Sequence, residues 1–241
     1  MKVSTSELSW EVRRKLSAEA EQDLGRRFAA GSPAYALLLA AFAYGSSCWP
    51  AHPVAIAVFA GLFASAAFWH QTIAAAMRQR YDECPAFWRA SLRRAAYSSA
   101  ALWAAFTAWA GLNHADVNQV FLLTLVTTGA AVGINASLGA DEILTERCLL
   151  IVLTPVLCIE LTHGALALAT VTGLLLALLV AQGRAQSVTY WEKIVERAQL
   201  EIRVEKAERT LAMVVEAATP QPVEAATPEP VPATDLVLVL R

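Results

Sequence analysis

The fold is decided by residues 148–209, CLLIVLTPVLCIELTHGALALATVTGLLLALLVAQGRAQSVTYWEKIVERAQLEIRVEKAER. Two apolar runs, 148–163 and 165–183, meet at His163-Gly164. The second passes into a charged segment, 184–216, that holds no Gly and no Pro. A helix crossing a membrane needs roughly 20 mostly apolar residues. The stretch therefore reads as a helical membrane hairpin whose second arm continues into water.

Four more runs of this kind lie upstream, at 33–50, 54–77, 95–112 and 119–139, with spans one and five short. Pro50 and Pro53 bracket the first turn, where a helix cannot continue. The polar residues Asn113 to Asn118 follow the third run. The expected fold is all-α: a polytopic membrane protein of six transmembrane helices, arranged as three hairpins over residues 33–183, with a cytoplasmic coiled-coil arm. Composition agrees. Of the 241 residues 56% are hydrophobic and 17% charged, against about 25% charged in soluble domains. Residues 33–183 hold 13 of the 40 charged residues. An ordinary soluble enzyme and a disordered chain are excluded, and the long apolar runs argue against a transmembrane β-barrel.

Lys and Arg give the orientation. Six precede the first span, five lie in the loop of Arg78 to Arg94, one is Arg147 and seven follow residue 183, which accounts for all 19. The three opposite turns hold none. Positive residues stay on the cytoplasmic side, so both termini are expected in the cytoplasm of a bacterial cell, with the spans in its inner membrane. Residues 1–32 lack the pattern of a secretory signal. Leu8, Val12, Leu16, Leu24 and Phe28 fit an amphipathic helix lying on the inner surface, or a plain solvated helix leading into span one.

In the arm, Val188, Trp191, Val195, Ala198 and Ile202 step by three and four, as do Leu200, Val204, Ala207, Leu211 and Val214. Both are heptad seams, in different registers. A coiled coil with a register shift near 202–204 is expected, pairing two copies of the chain along the second seam. The functional reading is a signalling coil with two registers; the plainer ones are a dimerisation stalk or an amphipathic helix packed on the basic loops. Residues 217–235 form a Pro-rich linker in which VEAATPQP (215–222) recurs as VEAATPEP (223–230). LVLVL (236–240) reads as a lone strand, either paired elsewhere or the first strand of a further domain.

Chemistry-bearing residues are few. Glu160 is the only acidic residue well inside a span. Intramembrane ionisable groups are costly and often functional. With Asn135, Gln119 and the threonines 124, 127 and 128 it is a candidate ligand- or proton-binding group; helix–helix hydrogen bonding is the plainer role. His52, His114 and His163 each fall in an outer turn, and with Glu160 they are candidate ligands for a metal ion, the only cofactor considered. Their spacing is not diagnostic, and turns are polar because they are wet. His70 lies inside span two without a second His at matching depth for a haem. The small residues of span four fit close helix packing. Cys48 and Cys158 lie near the outer face, where a disulfide can form. No phosphate loop, dinucleotide fingerprint, HExxH or GxSxG motif occurs, so no catalytic residue is assigned and the chain is not expected to be an enzyme. The basic residues are the inner flank of the spans, not a nucleic-acid surface.

Three stretches carry a resemblance: RYDECPAFWRASLRR (80–94) running into span three, SLGADEILTERCLLIVLTPVL (137–157), and the junction of span six with its charged helix. Over about residues 30–210 the organisation resembles the MASE-like membrane sensor regions that precede diguanylate cyclase or histidine kinase domains in bacteria. The resemblance implies an input module in cyclic-di-GMP or two-component signalling, with membrane lipid around it and a cytoplasmic output domain or protein as its partner. No GGDEF sequence, H-box or ATP-binding motif is present, and no ligand residue carries over. The alternative is a small transporter or a structural membrane subunit of a larger complex.

Overall fold

The computed structural model describes residues 10–46, 48–113 and 116–218. Among these there are helices and turns and no strand: α1 (Trp10–Gly31), α2 (Pro33–Gly45), α3 (Cys48–Ala51), α4 (Pro53–Arg80), a 3-10 turn (Tyr81–Glu83), α5 (Pro85–Asn113), α6 (Val117–Leu138), α7 (Glu142–Thr162) and α8 (Leu166–Ala218). The Pro-rich linker beyond 218 and the 236–241 segment lie outside the described residues. The chain divides into two compact units, Met1–Ala198 and Gln199–Arg241.

The first unit is a helical bundle. Four stretches are long and apolar enough to cross a membrane: Arg14–Gly45, Pro53–Glu83, Val117–Leu138 and Leu166–Val214. Helices α5 and α7 are not among them. The first uses Ala, Ser and Trp where the others use Leu, Val and Ile, and the second carries Glu146, Arg147 and Glu160 within 21 residues. Helix α5 packs on α4 and α7, and α7 on α5 and α6. Large apolar side chains are exposed along α4, at Val54, Val58, Leu62 and Phe68, and along α8, at Leu166, Val171, Leu174 and Leu178. An exterior this apolar is foreign to a soluble monomer and compatible with a membrane protein.

Pro33 does not separate the amino-terminal helix from the first apolar run. Proline at a first helical position loses no hydrogen bond. Ser32 keeps helical angles (φ −62°, ψ −32°), and its hydroxyl donates to the Ala29 carbonyl at 2.8 Å. Helix α1 therefore leads directly into α2. Leu24 and Phe28 are buried, and α1 packs on α4 and α6. Gly31 meets Ser137, Leu38 meets Gly129 and Gly45 meets Leu122, which sets α1–α2 antiparallel to α6. An aromatic ladder joins α2, α4 and α5: Tyr35 and Phe63 flank the fully buried Trp103, and Phe42 and Phe59 flank the fully buried Phe106.

In the second unit the described residues are the last part of α8. Leu200, Val204, Ala207, Leu211 and Val214 are exposed there.

Candidate functional site

Helix α7 ends in a Schellman turn, which sets the direction of α8. The Ala165 N–H donates to the Glu160 carbonyl at 2.8 Å and the Gly164 N–H to the Leu161 carbonyl at 3.2 Å. Gly164 has φ +71°, a left-handed conformation that glycine adopts without a steric cost. The turn sends α8 back along α7 and brings Thr172 against Glu160.

Glu160 is 0% exposed. Its Oε1 lies 2.6 Å from the Thr124 hydroxyl of α6 and 2.9 Å from the Thr172 hydroxyl of α8. The Thr124 hydroxyl is also 2.9 Å from the Val120 carbonyl, one turn back on its own helix. Both threonines are buried. The second carboxyl oxygen, Oε2, is buried with no hydrogen-bond partner. Three helices thus close on one carboxyl group. Beside Glu160 in the chain, Ile159 packs on Gly111 of α5 so closely that a Cβ there would stand 2.2 Å from the Ile159 Cδ1. Chemically the arrangement is an oxygen cluster in an apolar enclosure, able to hold a proton or a small polar group.

The other candidate residues lie apart from this cluster or at its rim. Asn135 is buried, but eleven residues beyond Thr124, roughly 16 Å along α6. Its Oδ1 has no partner and lies beside Gly183 of α8, where a Cβ would come within 2.9 Å of it. Gln119 is half-buried in the first turn of α6. His163 is exposed at the end of α7 while Glu160 is enclosed. His52 stacks edge-on against Trp109 at 5.7 Å. His114 lies outside the described residues, and among those described no three His, Cys, Asp or Glu side chains gather as metal ligands. Cys48 is buried, Cys158 is exposed, and both are free thiols.

A second polar pair crosses α4 and α5. His70 and Ser99 are buried, with His70 Nε2 and Ser99 Oγ 3.0 Å apart, Phe28 against the ring, and Nδ1 without a partner. Neighbouring Gln71 donates to the Ala29 carbonyl at 2.8 Å. These contacts hold α1, α4 and α5 together.

The end of the bundle that carries the basic residues is held by charge. Glu21 of α1 accepts from Tyr81 and from Arg89, whose Nε is 2.6 Å away, and that bond pushes the guanidinium still further above its ordinary value. Asp23 pairs with Arg26 and Arg27 and accepts from Tyr190 of α8 at 3.2 Å, while Arg27 stands 5.1 Å over the Tyr190 ring. Arg93 pairs with Asp141 at 3.1 Å, and Arg184 with Glu142 and Glu146, each at 3.2 Å.

Sequence reading named Glu160 and Thr124 but not Thr172, Ser99 or the Gly111–Ile159 contact. The signal for Thr172 was present: a threonine two turns into the helix that doubles back after His163-Gly164. The chain matches no family model, no curated protein and no solved structure.

Proposed function

We propose that the chain is a sensory input module of a bacterial inner membrane: six membrane-crossing helices with both termini in the cytoplasm, paired with a second copy through the arm. A change of packing around Glu160 would move α8, and the arm would pass that movement to a cytoplasmic output domain or protein. The observation that supports this reading is the continuity of α8. One helix, Leu166–Ala218, joins an apolar segment that touches Glu160 through Thr172 to a charged segment with an exposed apolar seam at Leu200, Val204, Leu211 and Val214. A seam of that kind on a polar helix is what a partner helix covers. The 19-to-none division of Lys and Arg supports the orientation.

The test has two parts. A reporter fused after residue 90 should behave as cytoplasmic and one fused after residue 114 as periplasmic; the reverse pattern overturns the topology. Single cysteines at Val204 or Ala207 should crosslink between two copies, and Leu200→Glu with Leu211→Glu should abolish the crosslink while the membrane part stays folded. An unchanged crosslink overturns the paired arm.

A further inference from the structure

The hydrogen atoms around Glu160 do not add up unless the carboxyl group supplies one. Three oxygen–oxygen contacts of hydrogen-bond length run through the cluster: Thr172 Oγ1 to Glu160 Oε1 at 2.9 Å, Thr124 Oγ1 to Glu160 Oε1 at 2.6 Å, and Thr124 Oγ1 to the Val120 carbonyl at 2.9 Å. A threonine hydroxyl donates once. The two threonines therefore fill two contacts, and the third needs a hydrogen on Glu160.

The surroundings call for the same atom. Helix α6 has no charged residue between Val117 and Leu138, α5 none between 95 and 113, and α8 none between 166 and 183. Asp116, at the start of α6, is exposed. On α7 the nearest titratable groups, Cys158 and His163, are exposed, and Arg147 lies thirteen residues back, about 20 Å along the axis. Among the described residues no ion pair reaches the carboxyl group. A buried carboxylate without a counter-charge, one oxygen bare, is far more costly than a neutral acid with a bare carbonyl oxygen.

We propose that Glu160, Thr124 and Thr172 form a proton-binding site enclosed where α6, α7 and α8 meet. Glu160 donates its hydrogen to Thr124, Thr124 donates to Val120, and Thr172 donates to Glu160. Loss of the proton takes the hydrogen from the Glu160–Thr124 contact and leaves a negative charge inside the bundle, so the three helices pack differently with the site full and empty. Only the consequence for the arm rests on the sensory reading; the site does not.

Infrared difference spectroscopy on the purified full chain tests it. The protein should give the carbonyl stretch of a protonated carboxylic acid, which a carboxylate lacks. The band should vanish in Glu160→Gln and move in Thr124→Val and Thr172→Val, which keep side-chain shape and remove the hydroxyl. If Glu160→Gln fails to fold, the two threonine variants still assign the band. A spectrum without the band, or a band that none of the three variants alters, overturns the proposal. So does a band that disappears when sodium replaces choline at constant pH, which would make the site one for a metal cation. Crosslinking of the arms at Val204 is read on the same samples. A crosslink that changes in the native chain over the pH range in which the band is lost, and does not change in Glu160→Gln, joins site and arm. The band without that dependence upholds the proton site and removes the sensory consequence.

Discussion

Glu21 and Glu160 are both carboxyl groups on which other helices close, and the bundle serves them in opposite ways. Glu21, at the basic end, is met by Ser17, Tyr81 and the Arg89 guanidinium, with its side chain 17% exposed. Glu160, 0% exposed, is met by two hydroxyl groups and no cation. The first is an ordinary ionic clasp whose charge is balanced inside the chain. The second leaves part of its hydrogen-bonding capacity unused in the interior, where polar groups are normally satisfied. A group kept under those conditions marks the place where the bundle gives up stability for something else.

The largest effect should come from reversing the charge at each position. Glu160→Lys puts an ammonium into a buried enclosure with no carboxylate to meet it, and an uncompensated buried charge costs about 3–5 kcal/mol. Glu21→Lys sets two cations side by side where Arg89 is 46% exposed, and water and salt absorb most of the repulsion, leaving about 1 kcal/mol or less. Thermal unfolding in detergent should therefore fall much further for Glu160→Lys. Equal losses would mean that the enclosure around Glu160 is not dry.

The packing next to Glu160 in the chain can be tested without touching charge. Gly111 of α5 stands against Ile159 of α7, and a Cβ there would stand 2.6 Å from Ile159 Cγ1 and 3.2 Å from Cγ2, so the whole side chain is in the way. Gly111→Leu should destabilise by about 1–3 kcal/mol. Gly61 is the control: it is exposed on α4 with nothing within 4 Å of an added Cβ. Gly61→Leu should leave the thermal midpoint nearly unchanged. If both variants behave alike, α5 and α7 are not in close contact at Gly111.

Much of this was legible in the sequence, and the part that was not has physical causes. The helices could be read from apolar length and the turns from Pro50, Pro53, Asn113–Asn118 and His163-Gly164, because each is a local property. Glu160 stood out because a lone acid in an apolar run has no bland local explanation. A helix leading from residues 1–32 into span one was one of two readings the sequence left open, and Ser32, which holds a helical backbone ahead of Pro33, decides for it. Thr172 and Ser99 were hidden because a threonine or serine in a helix satisfies itself on the preceding turn. Only the crossing of two helices tells whether it does something more.

The smallest effect should separate the two ends by salt. Arg184 joins α8 to α7 through Glu142 and Glu146, but it is 56% exposed and its partners 45% and 37% exposed. Exposed pairs of this kind contribute about 0–1 kcal/mol each, because water already screens the charges and two long side chains lose freedom to meet. Arg184→Ala should cost less than about 1 kcal/mol in dilute buffer. In 1 M salt, where the screening length is about 3 Å, the variant and the native chain should melt together. The difference between Glu160→Lys and the native chain should survive the same salt, because ions cannot enter the enclosure and screening acts only where solvent reaches. A Glu160→Lys effect that fades with salt as the Arg184→Ala effect does would place both groups in water and erase the contrast between the ends. A salt-resistant Arg184→Ala effect would instead mean that the Arg184 cluster is shielded by something this chain alone does not supply.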